Sequence, residues 1–192
     1  NLVLIILLVL CLAVSGILII VTKSKEHISI IGETAERLKN NYTIEETSNM
    51  WDVSLNSDGT VIATLDDDGT LTISGKGSMK RWDSSDTTDW HLMSERIKTV
   101  IIENGVTSIG DYAFENCYNL KQIEISNTVT NILYYVFSHC DSLTSIAIPE
   151  SVTSIYPYAF DNCSSLENIK VDEKNASYKD VNGVLYTKDG NV

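Results

Sequence analysis

Basic side chains are scarce in this chain, with 14 Lys and Arg against 26 Asp and Glu. Binding a nucleic-acid backbone requires cations that displace its counterions, so the balance argues against nucleic acid as a partner. Charge of either sign is missing altogether from residues 2–22. Without the first 25 residues, which contribute two Lys and no acid, the remainder holds 12 basic and 26 acidic residues, a formal charge of −14 against −12 for the whole. The mean hydropathy of almost zero therefore averages two unlike parts. A glycine-rich phosphate loop is also missing. Histidine is limited to His27, His91 and His139, none beside a Ser or Cys in a nucleophile motif. Nothing invites an enzyme assignment, and neither a catalytic residue nor a cofactor is expected.

The 192 residues allow one domain of ordinary size plus appendages. The chain opens on Asn rather than Met, which reads as a fragment. Leu2 to Val21 is an uncharged run of 20 residues. As a helix rising about 1.5 Å per residue it spans about 30 Å, the thickness of a bilayer core. Residues 1–22 are expected to form a transmembrane signal anchor. A cleaved secretory signal is the alternative, with Ala13-Val14-Ser15 as its small-residue site. The apolar stretch Ile17 to Val21 continues directly past that site, which favours the anchor. Leu10 before Cys11 does not suit a lipoprotein cleavage box. Residues 23–49 are polar and read as a stalk, with Ile28, Ile31, Ala35 and Leu38 at helical spacing. Lys23 and Lys25 weigh weakly against an outward-facing remainder, but its composition places it outside the cell.

The strongest signal is a repeat. Val106, Ile109, Tyr112, Phe114, Cys117, Leu120, Ile123 and Ile125 recur 23 residues later as Val129, Ile132, Tyr135, Phe137, Cys140, Leu143, Ile146 and Ile148. A further 23 residues bring Val152, Ile155, Tyr158, Phe160, Cys163, Leu166, Ile169 and Val171. Counting back from Leu120 reaches Ile97, Val100 and Ile102, a degenerate coil in which His91 stands at the Phe position, with Trp90 and Leu92 nearby, and Ser94 at the Cys position. Within each unit, Leu-x-x-Ile-x-Ile has the alternation of a short strand with one buried face. One strand cannot bury that face alone, so equivalent strands must stack into a parallel sheet with about 4.8 Å between layers. Coils are expected at about 83–105, 106–128, 129–151 and 152–174.

Val106-Thr-Ser-Ile-Gly-Asp-Tyr-Ala-Phe-Glu-Asn-Cys117 and Ile148-Pro-Glu-Ser-Val-Thr-Ser-Ile155 resemble the BspA-like leucine-rich repeat proteins of bacterial and protozoan surfaces. The resemblance covers about 97–192. It implies a mainly β leucine-rich-repeat solenoid with parallel stacked strands, a surface location, and adhesion or host-matrix binding, and it supplies no catalytic residues. The small β segment at 50–80 looks like the element that introduces such arrays. It carries two hairpin turns, Ser57-Asp-Gly59 and Asp68-Gly69. Residues 175–192 depart from the register and look like the hairpin-containing insertion found between such repeats. The full organisation expected is thus an anchor at 1–22, a stalk at 23–49, the β segment at 50–80 and the solenoid at 81–192.

Two candidate binding faces follow from the register. The outward strand positions are Gln122 and Glu124, Ser145 and Ala147, then Asn168 and Lys170. The second is the ladder of Tyr112, Tyr135 and Tyr158, extended by Tyr134 and Tyr156; stacking between coils explains its regularity equally well. Asp66, Asp67 and Asp68 lack the spaced acids and closing Glu of a calcium loop. Asp83, Asp86 and Asp89 read as a solvated loop. Cys117, Cys140 and Cys163 read as a buried ladder of free thiols, and His139 alone is too little to complete a zinc site with them. Asn41-Tyr-Thr, Asn162-Cys-Ser and Asn175-Ala-Ser match the glycosylation pattern and are expected to be unused. The expected function is noncatalytic recognition of a protein or of a host or envelope surface by a membrane-anchored array. The rivals are a targeting module for an enzyme domain beyond Val192 and a structural spacer.

Overall fold

The computed structural model of the chain describes residues 8–10, 19–21, 44–45 and 49–189. Contacts divide the chain into Asn1–Ser48 and Asn49–Val192. In the first unit β1 (Leu8–Leu10) and β2 (Ile19–Val21) pair antiparallel, and β2 pairs with β3 (Ile44–Glu45). These six positions of the expected membrane segment are extended, not helical, as their Leu, Val and Ile side chains allow. The rest of that segment and most of the 23–49 stalk lie outside the described residues. Among the described residues no helix is long and apolar enough to cross a membrane.

The second unit opens with an antiparallel meander of β4 (Met50–Asp52), β5 (Val61–Leu65) and β6 (Thr70–Gly75). Asp66 closes the β5–β6 turn by accepting from the Thr70 amide at 2.8 Å. Gly69 has φ +90°, and a Cβ there would meet the Arg96 carbonyl oxygen at 2.3 Å, so glycine is required. β6 then changes role: its other edge pairs in parallel with β8 (Thr99–Ile102), Thr70 opposite Thr99, and β8 pairs likewise with β10 (Gln122–Ile125). The meander is therefore the first layer of the array. A second parallel sheet runs through β7 (Gly77–Ser78), β9 (Val106–Ile109), β11 (Asn131–Ile132) and β13 (Ser154–Ile155). β12 (Ser145–Ile148) and β14 (Asn168–Val171) pair in parallel, Ile146 opposite Ile169.

Between the sheets the ladders meet. Val106, Val129 and Val152, Ile109 and Ile132, Phe114 and Phe137, Cys117 and Cys140, and Leu120 and Leu143 are all fully buried. The phenyl rings stack with centroids 5.7 Å apart for Phe114 and Phe137 and 5.6 Å for Phe137 and Phe160. In the degenerate coil it is Trp90, 1% exposed, that stacks on Phe114 at 5.9 Å; His91, at the Phe register position, points to solvent. The step from Thr70 to Thr99 is 29 residues rather than 23, and two 3-10 turns, Ser85–Thr87 and His91–Arg96, lie within it on either side of Trp90. Its indole N–H donates to the Ala113 carbonyl at 2.9 Å, satisfying the only polar atom that a buried Trp brings.

The three thiols form the internal ladder expected of them. Cys140 Sγ donates to Phe114 O at 3.2 Å and Cys163 Sγ to Phe137 O at 3.0 Å. Burial pushes the Cys117 thiol up to about 12 and raises those of Cys140 and Cys163 as well.

Backbone hydrogen bonds tie the coils together with opposite polarity on two sides. Beside the strands, amides donate to the preceding coil: Lys121 and Gln122 to Lys98 O, Glu167 and Asn168 to Thr144 O. On the turn side they donate to the following coil: Tyr112 to Tyr134 O, Phe114 to Val136 O, and Phe137 to Ala159 O. The strand side is broken once. Among the described residues no equivalent bond joins Thr144 or Ser145 to Lys121 O, and β10 and β12 fall in separate sheets. Pro149 follows β12 where Ser126 and Asp172 donate to Ile102 O and Ile148 O, and proline has no amide hydrogen to give.

The Val and Ile ladders end in polar replacements at the same register. Asn175 stands where Val106, Val129 and Val152 stood; only 1% exposed, it donates to Pro149 O at 2.8 Å and Val152 O at 2.9 Å and accepts from the amides of Ser177 and Tyr178. Tyr178 takes the place of Ile155, whose amide donates to its hydroxyl at 2.7 Å. The chain then leaves as a hairpin of β15 (Tyr178–Val181) and β16 (Val184–Thr187), its Asn182-Gly183 turn having both φ angles positive, 52° and 82°.

Three outcomes follow from this packing. The Thr144 and Ser145 amides will exchange with deuterium at least about tenfold faster than those of Lys121 and Glu167, read residue by residue by NMR. Asn175→Val will lower unfolding stability by about 2 kcal/mol in urea titration, because the carbonyls of Pro149 and Val152 lose their buried donor. Alkylation followed by mass spectrometry will modify Cys163 first, and Cys117 and Cys140 only once the fold melts; rapid labelling of native Cys117 would contradict the buried ladder.

Candidate functional site

The strand face places Gln122, Glu124, Ser145, Ala147, Asn168 and Lys170 in solvent, as the alternation predicts. Gln122 Nε2 donates to Glu124 Oε1 at 3.1 Å. Parallel pairing extends the rows toward the first layer: Gln122 lies beside Thr99 and Thr70, and Glu124 beside Ile101 and Thr72. A shallow depression of about 500 Å³, bounded in part by Ile101, Glu103, Asn104, Glu124 and Ser126, opens on this face. Thr99 and Ile101, one step of 23 before Gln122 and Glu124, extend the face inferred from the repeats, whereas Thr70 and Thr72 fall outside that count because the first step is 29. The clue available was the alternation of Thr70-Leu-Thr-Ile73, which matches that of Thr99-Val-Ile-Ile102.

The tyrosines lie on the turn side. Tyr112 and Tyr135 stack with centroids 5.1 Å apart and planes 6° from parallel, and Tyr135 and Tyr158 with 5.0 Å and 10°. Each occupies the left-handed backbone region, with φ 58°, 55° and 64°, a conformation suited to glycine and unfavourable to a bulky side chain by about 1–2 kcal/mol. Ring stacking returns about 0.5–1.5 kcal/mol per pair, which offsets much of that strain. The same turn contains a second left-handed residue in each coil, Asn116, His139 and Asn162. Tyr112 and Tyr135 are half-buried, while Tyr158, at the end of the stack, is 59% exposed. Tyr134 and Tyr156 meet edge to face at 4.9 Å beside them.

Charge around this turn is mostly acidic. The Tyr135 hydroxyl is held above its usual range, first by desolvation and then by the neighbouring Tyr158 and Tyr112 and the carboxylates of Asp161 and Glu115. Asp111, nearly buried, accepts from Arg81 Nε at 2.5 Å and from the Tyr134 amide at 3.0 Å. That ion pair raises the Arg81 guanidinium still further.

The remaining candidates fall into structural roles. Asp66 closes its turn, and Asp89 pairs with Lys80 at 2.7 Å. Among the described residues no group of three or more His, Cys, Asp or Glu is placed to hold a metal ion. Asn175 is buried with its amide fully bonded and is closed to glycosylation, whereas Asn162 is exposed and Asn41 lies outside the described residues.

No curated protein matches the chain. Solved structures similar to it include a leucine-rich repeat protein from Eubacterium ventriosum, at 29% identity over 72% of this chain and 48% of that one, with a TM-score of 0.47. A leucine rich cell surface protein from Faecalibacterium prausnitzii matches at 20% identity over 69% of this chain and 58% of that one, with a TM-score of 0.46. The pneumococcal vaccine antigen PcpA matches at 16% identity over 68% and 53%, with a TM-score of 0.43. The chain thus spans about half the length of these structures. Residues 91–181 match the BspA type leucine rich repeat region in six copies. Residues 91–181 thus carry BspA-type leucine-rich repeats.

Proposed function

We propose that this chain is a surface protein, held to the cell membrane by residues 2–21, whose repeat array recognises another protein or a host or envelope surface without catalysis. The observation that carries this reading is the exposed strand face. Gln122, Ser145 and Asn168 stand at one register position of three successive layers, and Glu124, Ala147 and Lys170 at another. Below the first two layers lie buried Phe, Leu and Ile, and below the third half-buried ones, so the outward side chains are presented on a backbone that does not need to order on binding. Such preorganisation suits recognition through many small contacts, and the mixed chemistry of the face suits a protein surface rather than a small molecule.

In whole cells the chain will fractionate with membranes, and external protease will release the array. Immobilised chain will retain at least one purified matrix or envelope protein, and Ser145→Arg, at the centre of the face, will reduce that binding about tenfold or more. Release only after cell lysis would remove the surface reading. Retention of none of the panel would favour a spacer.

A further inference from the structure

The tyrosine ladder has a property that stacking alone does not require. A turn that needs two left-handed residues is served in each coil by Asn116, His139 or Asn162 at one position, yet the other is Tyr every time, with φ between 55° and 64°. Asn at both positions would relieve the backbone. The rings instead form a stack about 10 Å long from Tyr112 to Tyr158, as long as about three residues of an extended chain.

The surroundings of this stack select a charge. Glu115 and Asp161 lie close enough to act on the central Tyr135 hydroxyl. Arg81, whose field reaches Tyr134 and Tyr156, is engaged by Asp111. Tyr158, 59% exposed, closes the stack; in the same turn the Asp161 amide donates to Tyr158 O at 3.1 Å and its carboxylate accepts from Asn162 Nδ2 at 3.0 Å. An exposed aromatic ring beside a carboxylate fits a planar cation, which stacks on the ring and donates hydrogen bonds to the acid. An ammonium group cannot do both in that geometry as well as a guanidinium can.

We propose that the ladder of Tyr112, Tyr135 and Tyr158, with Glu115 and Asp161 along it, is the docking site for an extended, arginine-bearing segment of a partner protein. This rests on the recognition reading above and adds to it the site and the chemistry of the partner. A Gly-Arg-Gly-Arg-Gly-Arg peptide carrying fluorescein tests it by anisotropy on the full chain. The Arg peptide will bind several-fold tighter than the corresponding Lys peptide, and a Glu peptide will not bind. Tyr158→Ala and Asp161→Asn will each weaken binding about tenfold, while Tyr158→Phe, which keeps the ring, will stay within about twofold. Asp68→Asn in the exposed β5–β6 turn removes the same charge as Asp161→Asn and will change binding less than about twofold. Equal losses for Asp68→Asn and Asp161→Asn would show attraction by net charge only and overturn the site. Equal affinity for Arg and Lys peptides, or no binding of either, would overturn it too. Should Tyr158→Ala unfold, the two charge variants and the Arg-to-Lys ratio decide. Loss of this site with Ser145→Arg still blocking a retained partner would leave the recognition reading intact on the strand face.

Discussion

A coil of this protein cannot bury its own apolar side chains, and everything else in the array follows from that. Each 23-residue turn of chain is about one side chain thick, so Phe114 has no partner within its own coil and must find Trp90 on one side and Phe137 on the other. Burial of each such ring contributes about 1.5–3 kcal/mol, but only when both neighbours are in register. Register is thus the shared condition of stability. A shift of one residue in any coil would turn the strand residues Ile123 and Ile146 outward and put Gln122 or Ser145 in the core.

An array built this way has a problem at both ends, where a coil has one neighbour instead of two. The two ends are treated differently. At the first, an antiparallel meander lays β6 along β8, and three tryptophans, Trp51, Trp82 and Trp90, pack edge to face at 5.4–5.9 Å over the first Phe. Bulk replaces the missing coil. At the other end the ladder residues change chemistry in place: Asn175 and Tyr178 occupy Val and Ile positions and satisfy the carbonyls and amide that a fifth coil would have met. Beyond that polar closure Phe160, Cys163, Leu166 and Ile169 remain half-buried.

How much of this was legible in the sequence depended on whether the information repeated. The ladders from Val106 to Val171 were visible as a period, and the inward and outward strand positions with them. The first layer was not. Its six extra residues moved Thr70 and Thr72 out of phase with Gln122 and Glu124, and the ring on Phe114 comes from Trp90, one residue before the position that a count of 23 reaches. Asn175 matches a glycosylation pattern in the sequence, but its place on the Val register is what puts it in the core, bonded to Pro149 O and Val152 O. The left-handed tyrosines could not be read at all: a bulky residue at positive φ contradicts local propensity, and only the neighbouring coils hold it there.

That contradiction bears on which face meets a partner. On the strand face sequence and structure agree at every level: small or polar residues alternate outward, in unstrained strands, and a solvated surface would look the same. On the turn face they disagree, since the same strain recurs in three coils where asparagine would remove it. Ring stacking recovers part of the strain, but it leaves Tyr158, at the end of the stack, 59% exposed. A surface with a formal charge of −14 needs no further carboxylates for solubility. Aromatic edges and carboxylates held in a fixed row do what a scattered acidic exterior does not: they set the spacing at which a cationic chain can be met.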